Sequence, residues 1–190
     1  EFDAIPKVVA ISGNGEYIAV GTNDDKVALF NKDSGILWTY TTGDNVEGIA
    51  ISADGEYVIA GSADDIFYVF SRQNNTPLWT YDFDTDPKVV AISGNGEYIA
   101  VGTNDDTVVL FDKDSSTPLW SYEIGGANVD AIAISADGEY IAATSENDKL
   151  YLFDKDSGTP LWSFSGGSHW STAIAISADG EYIVAGGYPN

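Results

Sequence analysis

The chain has no cysteine, no methionine and a single histidine among its 190 residues. Disulfides, thiolate metal sites, thiol catalysis and haem attachment through cysteine are therefore excluded, and so is a histidine-rich metal centre. Basic residues are scarce, with eight Lys and Arg against thirty Asp and Glu, a net charge of −22 and a sequence pI near 4.1. Nucleic acid and anionic membrane surfaces would repel such a chain over a Debye length of about 8 Å at physiological salt, so neither is an expected partner. No apolar run approaches the roughly 18 residues of a membrane span, and Glu1-Phe2-Asp3 lacks the basic and apolar regions of a signal peptide. Membrane insertion is not expected. The absence of an initiating Met points to a processed or excised chain.

What is present argues for a packed fold. A hydrophobic share of 44% with 13% aromatics is too high for an acidic disordered tail. Gly-Glu-Tyr recurs at Gly15, Gly55, Gly96, Gly138 and Gly180, at spacings of 40, 41, 42 and 42. Leu-Trp ends at Trp38, Trp79, Trp120 and Trp162, at spacings of 41, 41 and 42. The segment Pro6 to Asp25 reappears unchanged at Pro87 to Asp106, as though repeats had been duplicated in pairs. Two markers with one period define a repeat protein.

Each repeat holds four short runs rich in Val, Ile, Tyr and Phe, punctuated by Gly, Asn, Asp, Ser and Pro, which is the pattern of strands and turns. In the fourth repeat they are Ala131 to Ile134, Tyr140 to Ala143, Leu150 to Phe153 and Leu161 to Phe164. Asp137-Gly138 is expected to supply the positive φ angles of the first hairpin, and Gly158 the left-handed residue of the second. The first two runs are apolar at nearly every position, so both faces of each sheet must be covered. The predicted fold is all-β, a β-propeller of four-stranded antiparallel blades with about 41 residues per repeat. One domain over 1–190 would hold four full repeats, near 4–44, 45–85, 86–126 and 127–168, and an incomplete fifth at 169–190. A linear β-solenoid fits less well, because its repeats are shorter.

LYLFDKDSGTPLW, from Leu150 to Trp162, resembles the repeat signature of the pyrroloquinoline-quinone-type propellers. IAISADGEYIAA, from Ile132 to Ala143, resembles the inner hairpin of WD-repeat and microbial, particularly archaeal, surface-layer propellers. The second repeat departs from the pattern, with Arg72-Gln73-Asn74-Asn75 in place of Lys-Asp-Ser-Gly, and the WD dipeptide is absent. The resemblance implies a propeller acting as a non-catalytic structural or protein-interaction module, extracellular or at the cell envelope. It also implies an alternative, a fragment of a quinone-dependent dehydrogenase holding a calcium-bound cofactor in its central channel against a stacking Trp and a basic group. None of the eight basic residues stands out as placed for that.

The carboxylates fall in short turns on both blade edges. Asp24, Asp25, Asp64, Asp65, Asp105 and Asp106 are weak candidates for calcium, which takes six to eight oxygens, and a calcium-dependent adhesion module is the function they would serve. A solvated acidic surface is the simpler reading. Trp38, Trp79, Trp120 and Trp162 recur identically and so read as blade-packing residues rather than ligand-stacking ones. His169 and Trp170 break the repeat, in a segment read as a loop on the face of the acidic turns, and are the candidates for a ligand or partner contact. No catalytic constellation or phosphate loop is present in the sequence. Five Gly-Glu-Tyr markers against four Leu-Trp markers leave the last repeat short, and Glu1-Phe2-Asp3 aligns with Asp82-Phe83-Asp84. Incomplete end blades, with unpaired strand edges, are expected to be completed by a longer chain or by self-association with neighbouring subunits.

Overall fold

A computed structural model describes residues 4–165 and 169–189, with the side chains of 169–172, 188 and 189 excepted. The described residues are strands and turns throughout. Blade one comprises β1 (Pro6–Ile11), β2 (Tyr17–Thr22), β3 (Lys26–Asn31) and β4 (Gly35–Thr41). Blade two comprises β5 (Val46–Ile51), β6 (Tyr57–Ser62), β7 (Ile66–Ser71) and β8 (Pro77–Asp82). Blade three comprises β9 (Pro87–Ile92), β10 (Tyr98–Thr103), β11 (Thr107–Asp112) and β12 (Pro118–Glu123). Blade four comprises β13 (Val129–Ile134), β14 (Tyr140–Ser145), β15 (Lys149–Asp154) and β16 (Trp162–Ser165). The fifth sheet has two strands, β17 (His169–Ile176) and β18 (Ile183–Pro189). Every sheet is an antiparallel meander in chain order, as the sequence predicts.

Consecutive sheets pack face to face, with β1, β5, β9, β13 and β17 in sequence along the inner side. The core is therefore divided among the interfaces. Blades one and two bury Val27, Leu29, Val46, Val58, Tyr68 and Phe70. Blades two and three bury Ile59, Phe67, Val69, Ile99, Val109 and Phe111, and blades three and four bury Val108, Leu110, Val129, Ile141 and Phe153. In blades two to four the second and third strands are covered on both faces, which explains their unbroken apolar runs. The outermost strands of blades one to three alternate instead: in β8 Trp79 and Tyr81 turn toward the interface while Leu78, Thr80 and Asp82 face solvent.

The series does not close into a ring. Val9 and Ile11 of blade one are 68% and 61% exposed, although their sequence twins Val90 and Ile92 pack into the interface between blades two and three.

Two expectations about turns are corrected. In the first hairpin only Gly138 has a positive φ, 81°, and Asp137 acts through its carboxylate instead. Gly158 is not left-handed; it packs against the Trp120 side chain and the Ser121 carbonyl of the preceding blade, where a Cβ would crowd both. The left-handed residues of the loops between second and third strands are aspartates, Asp25, Asp65, Asp106 and Asp148, a conformation that Asp tolerates better than most residues.

Candidate functional site

The acidic turns resolve into local hydrogen-bonding devices. In the inner hairpins one serine closes each turn: the Ser52 hydroxyl donates to Asp54 Oδ1 at 2.6 Å and accepts the Tyr57 N–H at 3.0 Å. Asp54 Oδ1 also accepts the Glu56 N–H at 2.9 Å. Asn14 and Asn95 fill the same place in blades one and three with the same bonds, so the turn needs an acceptor and not a charge. Hydrogen bonds from Ser135 and the Glu139 N–H hold the Asp137 carboxyl below the usual carboxylate range, and Ser177 with the Glu181 N–H does the same for Asp179.

On the other edge, the candidate calcium ligands are engaged separately. Asp24 accepts the Ile5 N–H at 2.7 Å, Asp105 accepts the Thr103 hydroxyl at 2.7 Å, and Asp106 accepts the Gly126 N–H. Asp64 accepts the Gly43 N–H and the Tyr68 hydroxyl, both at 2.6 Å. Desolvation and the Asp64 carboxylate push the Tyr68 hydroxyl well above its ordinary value. Asp65 is raised by desolvation, by a hydrogen bond with Asp86 and by the charges of Asp86, Asp82 and Asp64. Asp25 occupies a left-handed turn position, with φ 60°. Among the described residues no three acidic or histidine side chains converge as a metal would require.

The periodic tryptophans join neighbouring blades. The first three each pack on a phenylalanine of the next blade's third strand: Trp38 on Phe70 with centroids 5.3 Å apart, Trp79 on Phe111 at 5.5 Å and Trp120 on Phe153 at 5.3 Å. Each indole N–H donates to the carbonyl of the residue just after that strand, Arg72 at 2.9 Å, Lys113 at 2.6 Å and Lys155 at 2.8 Å. The side chains of these same residues belong to the same joint. Arg72 lies over the Tyr17 ring and pairs with Glu56, while Lys113 lies over Tyr57 and pairs with Glu97 at 3.9 Å. Lys155 pairs with Glu139 at 3.5 Å. Gly-Glu-Tyr and Leu-Trp are thus two halves of one joint. Trp162, the fourth of the series, is 42% exposed.

The inner side of the arc carries a different constellation. Each first strand pairs with its second through a β-bulge at the same place, and the skipped residue is Lys7, Glu47, Lys88, Asp130 or Thr172. Bulges re-aim a side chain and gather next to functional sites. Here they present charges of alternating sign on successive strands. Lys7 and Glu47 form a closed pair at 2.6 Å, whereas Lys88 and Asp130 stand 3.8 Å apart. Glu47, Lys88 and Asp130 line a groove of about 350 Å³ whose remaining walls are aliphatic, chiefly Ile49, Val90 and Ile132. The Asp130 side chain is only 10% exposed, and its Oδ2 is buried without a hydrogen-bond partner. Burial raises the Asp130 carboxyl, Lys88 lowers it and Glu146 raises it again. Sequence reasoning missed these four residues; aligning the repeats at the second position of each first strand would have revealed the alternation.

A calcium-bound quinone does not fit this groove. Its described walls hold no aromatic ring on which the quinone could stack, Trp38, Trp79 and Trp120 being committed between blades, and its acidic groups number two.

His169 and Trp170 open strand β17 rather than lying in a loop, with His169 opposite Pro189 and Trp170 opposite Tyr188. Their side chains lie outside the described part of the structure. A comparison with curated proteins gives no match. A protein-family profile described as outer membrane protein assembly factor BamB matches residues 2–104 and again 88–188, the two spans overlapping at the identical third-blade segment. The profile thus spans nearly the whole chain and coincides with stacked four-stranded blades, and the chain belongs to this family of pyrroloquinoline-quinone-like propeller repeats.

Proposed function

We propose that the chain is a non-catalytic β-propeller module that engages protein at the cell envelope, and that blade one receives a further blade of the same kind. One observation carries the reading. Residues 6–25 and 87–106 are identical, and the copy in blade three buries Ile99 and Val101 against Ile59, Phe67 and Val69 of blade two. The copy in blade one presents the same side chains with Val9 and Ile11 left exposed. An apolar face whose exact twin is an interface is itself suited to one. The description of the family profile, an outer membrane assembly factor, supports both the envelope and a role in assembly.

Sedimentation velocity across a range of concentrations tests this. Self-association is expected to grow with concentration and to be abolished by Val9→Asp with Ile11→Asp, two exposed positions whose replacement leaves the core untouched. A well-folded monomer at every concentration would sink the self-association form. Dye reduction with alcohols or sugars on adding calcium and pyrroloquinoline quinone would overturn the non-catalytic reading.

A further inference from the structure

We infer that the inner groove is a binding site for a small zwitterionic aliphatic ligand, an α-amino acid or its equivalent, with its ammonium on Asp130 and its carboxylate on Lys88. Four charged residues reach this side of the molecule, each from a β-bulge. Lys7 and Glu47 satisfy one another through a hydrogen bond of 2.6 Å and have little to offer a ligand. Lys88 and Asp130 are differently arranged. Their charged atoms are 3.8 Å apart, beyond hydrogen-bond distance, and Asp130 Oδ2 is buried with no donor. An unpartnered buried carboxylate oxygen is costly, and a ligand ammonium would relieve it. Lys88 has the more exposed side chain, and its ammonium can turn to an anionic group placed beside the first. The rest of the groove is aliphatic, with Val90 on the strand of Lys88, Ile132 on that of Asp130, and Ile49 on the strand before them. At about 350 Å³ the groove lies at the small end of ligand sites, which favours a single residue-sized molecule over an extended chain. The ligand must therefore present both charges side by side, with a branched aliphatic group beyond them.

Calorimetric titration with L-leucine tests the site, with 3-methylbutylamine and 4-methylpentanoate as half-ligands carrying one charge each. L-leucine is expected to bind, each half-ligand at least roughly tenfold more weakly, and Asp130→Asn to lose roughly tenfold or more while Glu123→Gln, on the exposed face of β12 away from the groove, changes little. Circular dichroism checks each variant's fold, and Lys88→Gln reads the carboxylate half independently should the Asp130 variant not fold. No binding of L-leucine at millimolar concentration, equal binding of either half-ligand, or undiminished binding in both the Asp130 and Lys88 variants would overturn the proposal.

Discussion

At the scale of single residues, the chain reuses a few conformational solutions, and each repeat offers a control for the others. Gly15 and Gly138 both close inner hairpins, with φ of 70° and 81°. A Cβ at Gly15 would meet nothing within 4 Å, whereas one at Gly138 would overlap the Tyr98 ring of the preceding blade. Gly15→Ala should therefore lose only the left-handed backbone term, roughly 1–2 kcal/mol, and Gly138→Ala should lose that plus an overpacking cost of roughly another 1–3 kcal/mol. Denaturant titration of the two variants would show the difference, and equal losses would contradict the stacked tyrosine. The Asx position of the same hairpins gives a pH test. Asp137 is held below its ordinary value, so it adds stability that is present above its unfolded pKa and fades as pH falls through its folded pKa. Asp137→Asn, the residue type of blades one and three, should fold normally at neutral pH and flatten part of that acid-side decline in the melting temperature.

At the scale of elements, the unit of stability is the joint between blades. Trp79→Phe keeps a ring between Phe67 and Phe111 but strands the Lys113 carbonyl, and should cost about 1–3 kcal/mol. Trp162→Phe, at a half-exposed position, should fall within about 0.5 kcal/mol of the parent. Chemical denaturation separates the two, and similar losses would show that the indole bond contributes nothing. Much of this was legible in the sequence. Strand positions, the meander and the blade repeat followed from two markers of equal period and from apolar runs too continuous for a one-sided sheet. The partner of each marker was not legible, since it lies in the next repeat: Trp38 reaches Arg72, and Gly55 supports Tyr17. The bulges were hidden for another reason. Pro6-Lys7-Val8 fits a regular ladder as well as a bulged one, and only pairing with Gly21 and Thr22 shows that Lys7 is skipped and turned inward. The turn aspartates drew attention by their number, while the informative aspartate, Asp130, sits alone within a strand.

At the scale of the whole molecule, the charge of −22 is spread largely over both blade edges in carboxylates that are held separately, each by its own backbone or hydroxyl donors. Such an arrangement repels itself without forming a cation cage. Asp65, pushed upward partly by the charges of Asp86, Asp82 and Asp64, marks a place where the repulsion concentrates. Eight cations offset little of the charge of thirty carboxylates, and four of them, Arg72, Lys113, Lys155 and Lys7, are already held in ion pairs. Ionic screening should therefore stabilise the fold. Raising sodium chloride from about 0.05 M to about 1 M shortens the Debye length several-fold and should raise stability by roughly 1 kcal/mol, about 2–4 °C in melting temperature for a chain of this size. Calcium should do no more than magnesium at equal ionic strength. A specific site occupied at about 100 times its dissociation constant would instead add about 2.7 kcal/mol. A rise of that size with calcium and not with magnesium would mean that the acidic turns assemble a site on binding, and that Asp64, Asp106 or their equivalents give up their backbone partners to form it.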